Sequence, residues 1–483
     1  MAIIGLDVGS TGCKAIVFDS SGKSLAHAHI EYPFFEKVYE IDGNTIWDCV
    51  ATVLKHCGEN SPEKITALCI SSFGESFVPI DSQGNVLLNT MLYTDKRGRS
   101  QCDWLEGKIG RTRLMQITGH NPQPMYSLPK ILYIRDNYPE IYSKVYKFLM
   151  IGPFCAFRLT GNDYIDYSLA SRTLAFDVIK KEWSQLILKA TGIDESLLSN
   201  PVPSGTIVGQ ILPEAAKKLA LPEGITVVSG GQDQICAALG AGVVESDIAV
   251  DGMGTVECIT PIFKKPQMSS DFLENNYACV PYVFEGTYAT YAFTFSGGSI
   301  LKWYRNTFAS DKSYKELDQE GSKNPTDLIV VPHFAGSATP DMNEAFSGSI
   351  LGLRFDTDSS VIYRALIEGV SYEMKYNLEI LEKHGITFTE IRAVGGGAKS
   401  DYWLQIKSNI FGKTIVSLDV EEAGIVGAAI LAGTATGVFQ DISAALKVFI
   451  KKRKSFLPDK TEMAFYEKQY EKYKRIRKGI GEL

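Results

Sequence analysis

Two short glycine-containing turns have the composition of phosphate-binding loops. The first spans residues 7–14 with the sequence DVGSTGCK, and the second spans residues 251–255 with the sequence DGMGT. Backbone N–H groups in such turns can donate to phosphate oxygens, glycine permits close approach, and Lys14 could add a positive charge. A plain hairpin explains one such turn equally well, but two matching turns favour phosphate binding. The predicted phosphate contacts are Thr11, Gly12, Lys14, Gly254 and Thr255.

A carboxylate lies between these two turns in the chain, at a predicted strand-to-helix junction. Asp233 follows Gly230, Gly231 and Gln232, after a predicted strand at residues 225–228 and before a predicted helix at residues 235–242. A hydroxyl that attacks a phosphoryl group needs an acceptor for its proton, and an aspartate provides one in other kinases. Asp233 could instead be a simple helix cap. We predict that it is a general base and that the adjacent Gln234 contacts the substrate.

A third glycine cluster, GGGAKS at residues 395–400, follows the strand pattern IRAV. A backbone without side chains leaves room for an adenine ring or a ribose to lie flat against it. A structural glycine turn is the alternative. The nucleotide contacts predicted here are Gly396, Gly397, Ala398 and Ser400.

The hydrophobic pattern outlines the elements that must position these residues. Strand patterns at residues 2–9, 13–19 and 24–32 form an antiparallel meander, and a helical pattern at 45–57 and a buried strand at 65–71 follow. The pattern further predicts a hairpin-like segment at 77–86 and helices at 127–143 and 182–190. The meander begins again at residue 248, which aligns Asp7 with Asp251 and Thr11 with Thr255. We therefore predict an α/β protein with two domains, residues 1–245 and 246–483, joined by a hinge.

The composition restricts the class of protein. The 483 residues are 45% hydrophobic and carry a net charge of -7, values typical of a globular enzyme without a polyanionic partner such as nucleic acid. The N-terminus lacks the pattern of a signal peptide or a membrane span, which predicts a cytoplasmic protein. Nine cysteines without a C-x-x-C pair suit a reducing compartment. No histidine or cysteine metal motif is present, so we expect any metal to arrive with a nucleotide.

Together these motifs resemble those of the FGGY family of carbohydrate kinases, with the layout of its xylulokinase members, over nearly the whole chain. The family's first phosphate motif is similar to residues 7–14, its catalytic-base segment to residues 230–233, its second phosphate motif to residues 252–255 and its adenosine motif to residues 395–400. Its two signature segments resemble residues 125–131 and 348–368.

The resemblance implies two RNase H-like domains of the actin and hexokinase type, with ATP and a sugar in the cleft between them. It implies ATP-dependent phosphorylation of a small sugar or polyol, with a pentulose such as xylulose favoured, and Mg²⁺ as a cofactor with Asp7 at the metal. ATP is expected mainly against the C-terminal half and the sugar mainly against the N-terminal half, where Gly74, Glu75 and Asp95 are the expected contacts. Dimers are common in the family, so a homodimer is one assembly it allows.

Three segments depart from the family pattern. Xylulokinases usually have Met-His where this chain has Gly74-Glu75, and glycerol kinases are more similar at Glu75. A carboxylate there can accept hydrogen bonds from two sugar hydroxyls, although a solvated loop glutamate is the alternative. Tyr93 replaces a tryptophan beside Asp95 and Arg97, which a surface ion pair also explains. The family's S-G-E-R-T-P segment is replaced by AGSATP at residues 335–340.

These departures leave the substrate open among xylulose, other ketoses, glycerol and tetritols. Two further functions also remain open: an actin-type ATPase or nucleotide-binding protein without sugar kinase activity, and a sugar sensor that has lost turnover.

Overall fold

The computed structural model describes residues 1–33 and 39–481 and contains two β-sheets of similar topology. In the first sheet an antiparallel meander is followed by two strands that run parallel to its first strand, and a sixth strand closes the edge. From edge to edge its strands are Ile207–Gln210, Thr226–Gln232, Ile65–Ser72, Ala2–Val8, Gly12–Asp19 and Ser24–Glu31. The central strand Ala2–Val8 is almost completely buried, as its run of aliphatic residues predicts.

The second sheet repeats this order in the second half of the chain. Its first strand, Ile248–Met253, pairs antiparallel with Glu257–Phe263. The same strand pairs parallel with Glu390–Val394, which follows helix Ser359–Lys383. From edge to edge its strands are Val280–Pro281, Tyr288–Ala289, Glu257–Phe263, Ile248–Met253, Glu390–Val394, Thr414–Leu418 and Lys452–Phe456, with Ala292–Thr294 also paired to Glu257–Phe263. The predicted repeat is thus present as two sheets of the same order, and the two-domain α/β fold is confirmed. The boundary that we propose at residue 245 falls between helix Asp233–Gly240 and strand Ile248–Met253.

Helices cover both sheets. In the first half they span Gly43–Asn60, Arg99–Ile109, Arg111–Thr118, Ser127–Asn137, Pro139–Tyr142, Ile151–Thr160, Tyr167–Ser171, Gln185–Thr191, Pro213–Lys218 and Asp233–Gly240. In the second half they span Ser270–Glu274, Gly298–Phe308, Tyr314–Glu320, Ser359–Lys383, Asp401–Phe411, Ala423–Ala435, Ile442–Phe449 and Lys460–Gly481. Short strand pairs add Glu40–Ile41 with Thr90–Met91, Phe77–Ile80 with Lys147–Met150, Tyr164–Asp166 with Asn200–Val202, Phe176–Asp177 with Glu182–Trp183, and Ile329–Val331 with Ser349–Leu351.

One local prediction is incomplete and two need correction. The segment at 77–86 folds back in a hairpin-like turn as predicted, with an antiparallel bridge between Ile80 and Val86 and a hydrogen bond from the N–H of Leu87 to the carbonyl of Pro79, but strand Phe77–Ile80 also pairs with Lys147–Met150. The helix predicted at 127–143 breaks before Pro139, since the residue before a proline disfavours the helical conformation. The helix predicted at 182–190 begins only at Gln185, capped by the Ser184 side chain, because residues 182–183 form a strand.

The two halves meet through a pair of helices rich in small residues. Helix Ala423–Ala435 of the second half packs on helix Asp233–Gly240 of the first. A methyl group added at Gly427 would lie 1.9 Å from the carbonyl oxygen of Cys236, and one at Gly240 would lie 1.8 Å from that of Ala423. The backbones therefore touch, and this small-residue helix belongs to the core. Asp233 stands at the start of this interface.

Two observations concern the chain as a whole. Over residues 1–33 and 39–481, no helix combines the length and the apolar character needed to cross a membrane. The nine cysteines are all free thiols, and eight of them are buried.

Candidate active site

Asp233 is the first residue of its helix rather than the cap. The N-cap position is occupied by Gln232, whose side chain makes no capping bond. The Oδ1 atom of Asp233 accepts hydrogen bonds from the backbone N–H of Gln234, at 2.7 Å, and from Nε2 of Gln232, at 2.6 Å. Within the part of the chain that the structure describes, Oδ2 of Asp233 accepts no hydrogen bond from protein. One carboxylate oxygen is fixed and the other is free to take a proton.

The surroundings of Asp233 favour its protonated form. Burial raises its pKa from 3.8 to about 7, and the carboxylates of Asp7 and Glu75 push in the same direction. The N–H of Gln234 and the charge of Arg172 lower the pKa but do not compensate. A carboxylate with a pKa near neutrality accepts a proton more readily than an ordinary surface aspartate does, which is the property that a general base needs.

Asp7 lies on strand Ala2–Val8, which is separated from the strand that leads to Asp233 by the parallel strand Ile65–Ser72. Its Oδ1 accepts a hydrogen bond from the hydroxyl of Ser71, at 2.8 Å. Burial raises the pKa of Asp7 to about 6, against the lowering effect of the Ser71 hydrogen bond. Lys14 is the direct cross-strand neighbour of Asp7, but its ammonium group pairs with Glu422 at the start of the helix from the second half.

The turn at residues 9–12 is a tight hairpin connection between the first two strands. The N–H of Gly9 donates to the carbonyl of Gly12 at 2.9 Å, and Thr11 at its tip is exposed. The structure brings this turn, Asp7 and Asp233 to the same end of the sheet, because the strands that carry them are neighbours or parallel. Its shape agrees with both interpretations of the motif, a hairpin and a phosphate-binding turn.

Glu75 is buried in an ion pair that sequence reasoning did not find. Its side chain contacts the guanidinium of Arg172, and only 5% of Glu75 is exposed. The guanidinium also lies over the rings of Tyr126, at 5.1 Å, and Tyr291, at 5.8 Å. A solvated loop glutamate is therefore excluded. No motif in the sequence distinguishes Arg172 from a surface arginine, because its partner is 97 residues away.

Gly74 and Asp95 contribute to the wall of the same region. A methyl group at Gly74 would lie 3.2 Å from Cγ of Arg172, so glycine lets the arginine side chain pass. Asp95 is 6% exposed, and its two carboxylate oxygens accept hydrogen bonds from Arg97. Burial would raise the pKa of Asp95, but these hydrogen bonds outweigh it and lower the pKa. The Asp95–Arg97 pair is therefore a partly buried support for the loop that carries Tyr93. Gln234 is partly exposed beside Asp233.

A cavity of about 660 Å³ lies on the side of the second half, within the size range of nucleotide sites. Five predicted nucleotide contacts line it, namely Gly254, Thr255, Gly396, Gly397 and Ser400. Ala398 is buried and faces a neighbouring cavity of about 410 Å³, and Thr11, Gly12 and Lys14 lie outside the wall of the larger one. Sequence reasoning missed Gly298, Ser299, Lys302, Tyr314, Asp318, Tyr363 and Trp403, which also line the larger cavity.

The donors around this cavity fit a polyphosphate and a nucleoside. Helix Gly298–Phe308 begins at the wall of the cavity. The N–H of Gly298 donates a hydrogen bond to the carbonyl of Gly254, at 2.8 Å, which fixes the turn at residues 251–255. The positive end of this helix and the Lys302 side chain favour an anion. Asp318 accepts a hydrogen bond from Tyr363 at 2.7 Å, and burial raises the pKa of its carboxyl. Its oxygens are suitable acceptors for ribose hydroxyls or an amino group.

Asp251 occupies the position equivalent to Asp7 but has a different environment. Its carboxylate contacts the ammonium group of Lys407, which also lies 2.7 Å from Glu257, and all three side chains are fully buried. The charge of Asp251 is therefore paired with Lys407 inside the protein. Among residues 1–33 and 39–481, no cluster of three or more histidine, cysteine, aspartate or glutamate side chains could hold a metal by itself.

Comparisons with known proteins agree with this architecture. The model for the N-terminal domain of the FGGY family of carbohydrate kinases matches residues 2–240, and the model for its C-terminal domain matches residues 252–436. The xylulose kinase of Bacillus subtilis is 28% identical, over 98% of this chain and 96% of its own length. The structures of a ligand-bound xylulose kinase and a gluconate kinase from Lactobacillus acidophilus superpose with TM-scores of 0.92 and 0.91. Each is 26% identical and covers 99% of this chain and 98% of its own.

Proposed function

Since the chain belongs to the FGGY family of carbohydrate kinases, we propose that it transfers the γ-phosphoryl group of ATP to a hydroxyl of a pentulose such as xylulose, with Asp233 as the general base. The observation that carries this proposal is the position of Asp233. Its free carboxylate oxygen stands among the Glu75–Arg172 pair, Asp7 and the first turn, with its pKa raised to about 7. An acceptor hydroxyl bound there would lose its proton to Oδ2 as it attacks.

The choice of a neutral sugar rests on the charge of the pocket. Relatives and structural neighbours include xylulose kinases and a gluconate kinase, so a ketose and an aldonate are the two acceptor classes to separate. An aldonate needs a cation to balance its carboxylate, but the charge of Arg172 is already balanced by Glu75. We therefore favour a ketose, whose hydroxyls can donate to Glu75 and accept from Arg172.

The second half would hold the nucleotide. The helix that begins at Gly298 and the turn at residues 254–255 would face the phosphates, with Lys302 close by. Gly396, where a methyl group would meet no described atom within 4 Å, leaves a flat wall for the nucleoside, and Gly397 lets the backbone pack against Met253, 2.9 Å from where a methyl group would lie. Thr11, Gly12 and Lys14 would approach the phosphates from the first half, after Lys14 exchanges Glu422 for phosphate oxygen.

Asp7 is the residue that we propose for the Mg²⁺ that accompanies ATP. Magnesium prefers carboxylate oxygen and is commonly held by one or two carboxylates together with substrate phosphates and water. With a pKa of about 6, Asp7 is mostly ionised at neutral pH, and its only charged cross-strand neighbour is engaged by Glu422. The ion would supply positive charge to the transferring phosphoryl group.

The test is turnover with a panel of acceptors under saturating Mg·ATP, followed by Asp233→Asn on the best acceptor. We expect xylulose to exceed gluconate, glycerol and tetritols in kcat/KM. The variant keeps size and hydrogen bonding but cannot take the proton, so kcat should fall by about 10² to 10⁴ while ATP affinity is retained and Tm is not lowered. Asp177→Asn is the matched control, because Asp177 is also buried and accepts two backbone N–H bonds outside the site.

Two results would contradict the proposal. Near-wild-type turnover of Asp233→Asn would remove Asp233 from the mechanism. ATP hydrolysis that no acceptor accelerates would instead support the alternative of an actin-type ATPase.

A further inference from the structure

One tyrosine from the second half reaches the residue next to the proposed base. Tyr291 precedes strand Ala292–Thr294 and is 8% exposed. Its hydroxyl donates to Oε1 of Gln232 at 2.8 Å. The Nε2 atom of the same amide donates to Oδ1 of Asp233 at 2.6 Å. Two consecutive hydrogen bonds therefore connect a side chain of the second half to a carboxylate of the first.

The chemistry of the three groups allows one arrangement when Asp233 is ionised. A carboxylate oxygen only accepts, so the amide of Gln232 must present its nitrogen to Asp233. The amide oxygen then faces Tyr291, whose hydroxyl can donate. The hydroxyl thus favours the orientation of the amide, and the amide, together with the backbone N–H of Gln234, holds Oδ1 of Asp233 and leaves Oδ2 free.

Gln232 and Tyr291 are each held in place by a further contact. The backbone N–H of Gln232 donates to the hydroxyl of Ser168 at 2.9 Å, which fixes the amide-bearing residue to the first half. The ring of Tyr291 lies 5.8 Å from the guanidinium of Arg172, so its position also depends on the Glu75–Arg172 pair. The position of the Tyr291 hydroxyl is therefore determined by contacts within the protein and not by hydrogen bonds to water.

We infer that Tyr291 is a positioning residue for phosphoryl transfer, acting through Gln232 to orient the carboxylate of Asp233. The inference rests on the proposed role of Asp233 as the base. Because Tyr291 and Gln232 belong to different halves, the carboxylate is oriented in this way only when the halves are as close as they are here. The hydrogen bond between Tyr291 and Gln232 thereby couples closure of the cleft to the orientation of the Asp233 carboxylate.

The first test is Tyr291→Phe, which removes only the hydroxyl. We expect kcat to fall about 3- to 10-fold, the effect of one lost hydrogen bond, while KM for ATP stays unchanged. Tyr282→Phe is the matched control. Tyr282 is buried to a similar degree in the same region, and its hydroxyl donates to the carbonyl of Val243 at 2.8 Å, away from Asp233. This control should lose stability to a similar extent and keep kcat.

The second test is a double-mutant cycle with Gln232→Met, which cannot link the two groups. If Tyr291 acts through Gln232, adding Tyr291→Phe to Gln232→Met should not lower kcat further. An equal fall of kcat in both backgrounds would overturn the inference, and so would unchanged kcat in Tyr291→Phe alone. The comparison of Tyr291→Phe with Tyr282→Phe decides the question even if Gln232→Met is not recovered.

The inference and the proposed function fail in different ways. An inactive Asp233→Asn together with a fully active Tyr291→Phe would refute only the positioning role. A fully active Asp233→Asn would refute the base itself.

Discussion

Removing one partner of the Glu75–Arg172 ion pair should cost more stability than any surface substitution. The two side chains are 7% and 10% exposed, and their charges lie among aromatic rings. Glu75→Gln keeps the shape and one acceptor oxygen but leaves the Arg172 guanidinium without a counter-charge. Uncompensated buried charges of this kind typically cost about 3 to 5 kcal/mol.

The groups in contact with the guanidinium cannot replace the lost charge, although Asp233, whose pKa the charge of Arg172 lowers, can offset part of it. The closest nitrogen of His120 is 3.5 Å from the guanidinium, and burial, together with the charge of Arg172, keeps the pKa of His120 well below its ordinary value. Tyr126 offers its ring face, which contributes about 1 kcal/mol and already does so in the native protein. Most of the predicted loss in the free energy of unfolding should therefore be observed.

The assay is thermal unfolding of Glu75→Gln, Arg172→Met and the double variant. For a domain of this size each kcal/mol shifts Tm by about 2 to 4 °C, so Glu75→Gln should lower Tm by about 6 to 20 °C. The double variant buries no isolated charge and should lose less stability than the sum of the two single variants. A Tm for Glu75→Gln within about 1 °C of the wild type, or strict additivity in the cycle, would refute the reasoning.

The same variants report on the acceptor. Glu75→Gln retains an oxygen that can accept one hydroxyl, whereas Glu75→Ala retains none. We expect kcat/KM for the best sugar to fall further in Glu75→Ala than in Glu75→Gln, with KM for ATP unaffected. Unchanged kcat/KM for every sugar in Glu75→Ala would show that this side chain does not touch the acceptor.

Two further predictions concern pH and packing. Because the pKa of Asp233 is raised to about 7, kcat/KM should increase with pH up to about 7. The folded protein then binds this proton more tightly than the unfolded chain does. The free energy of unfolding should therefore rise as the pH falls from about 8 towards 4. Unfolding measured at several pH values should show a weaker trend in Asp233→Asn. Gly427→Ala should lower Tm despite the better helix propensity of alanine, because the methyl group would lie 1.9 Å from the Cys236 carbonyl. Gly479→Ala is the control, because a methyl group there would have no neighbour within 4 Å in the described structure and only the gain in helix propensity should remain. A higher Tm for Gly427→Ala than for Gly479→Ala would contradict the packing argument.

The strands and turns that carry the site could be predicted because their signals are local. The strand Ala2–Val8 is a continuous aliphatic run, and the turn after it contains the glycines that a tight connection requires. Asp233 was identifiable for the same reason, as a carboxylate directly after a strand and a glycine pair. The segment at 77–86 shows the limit of such signals, since its turn is local but its strand also pairs with residues 147–150, which local signals do not indicate.

The side chains that tune the site could not be predicted because their partners are distant in the chain. Arg172 is 97 residues from Glu75, and Tyr291 is 59 residues from Gln232. In a single sequence, an arginine or a tyrosine at these positions looks the same whether it faces water or a buried carboxylate. Tertiary packing decides between these environments: Glu75 and Arg172, both in the first half, shift the pKa of Asp233, and Tyr291 reaches Gln232 from the second half.

Asp7 and Asp251 show how repeated backbones acquire different chemistry. Both aspartates stand near the end of the first strand of a meander, and the sequence aligns them without a gap. Lys407, 156 residues beyond Asp251, enters the second sheet and pairs with it, so that the charge of Asp251 serves the fold. At the corresponding place Asp7 accepts a hydrogen bond from the hydroxyl of Ser71, and its cross-strand lysine, Lys14, pairs with Glu422 instead. Because the backbone repeat is nearly symmetrical, the buried Lys407 accounts for the different surroundings of the two carboxylates, and Asp7 is the one that we propose for the metal.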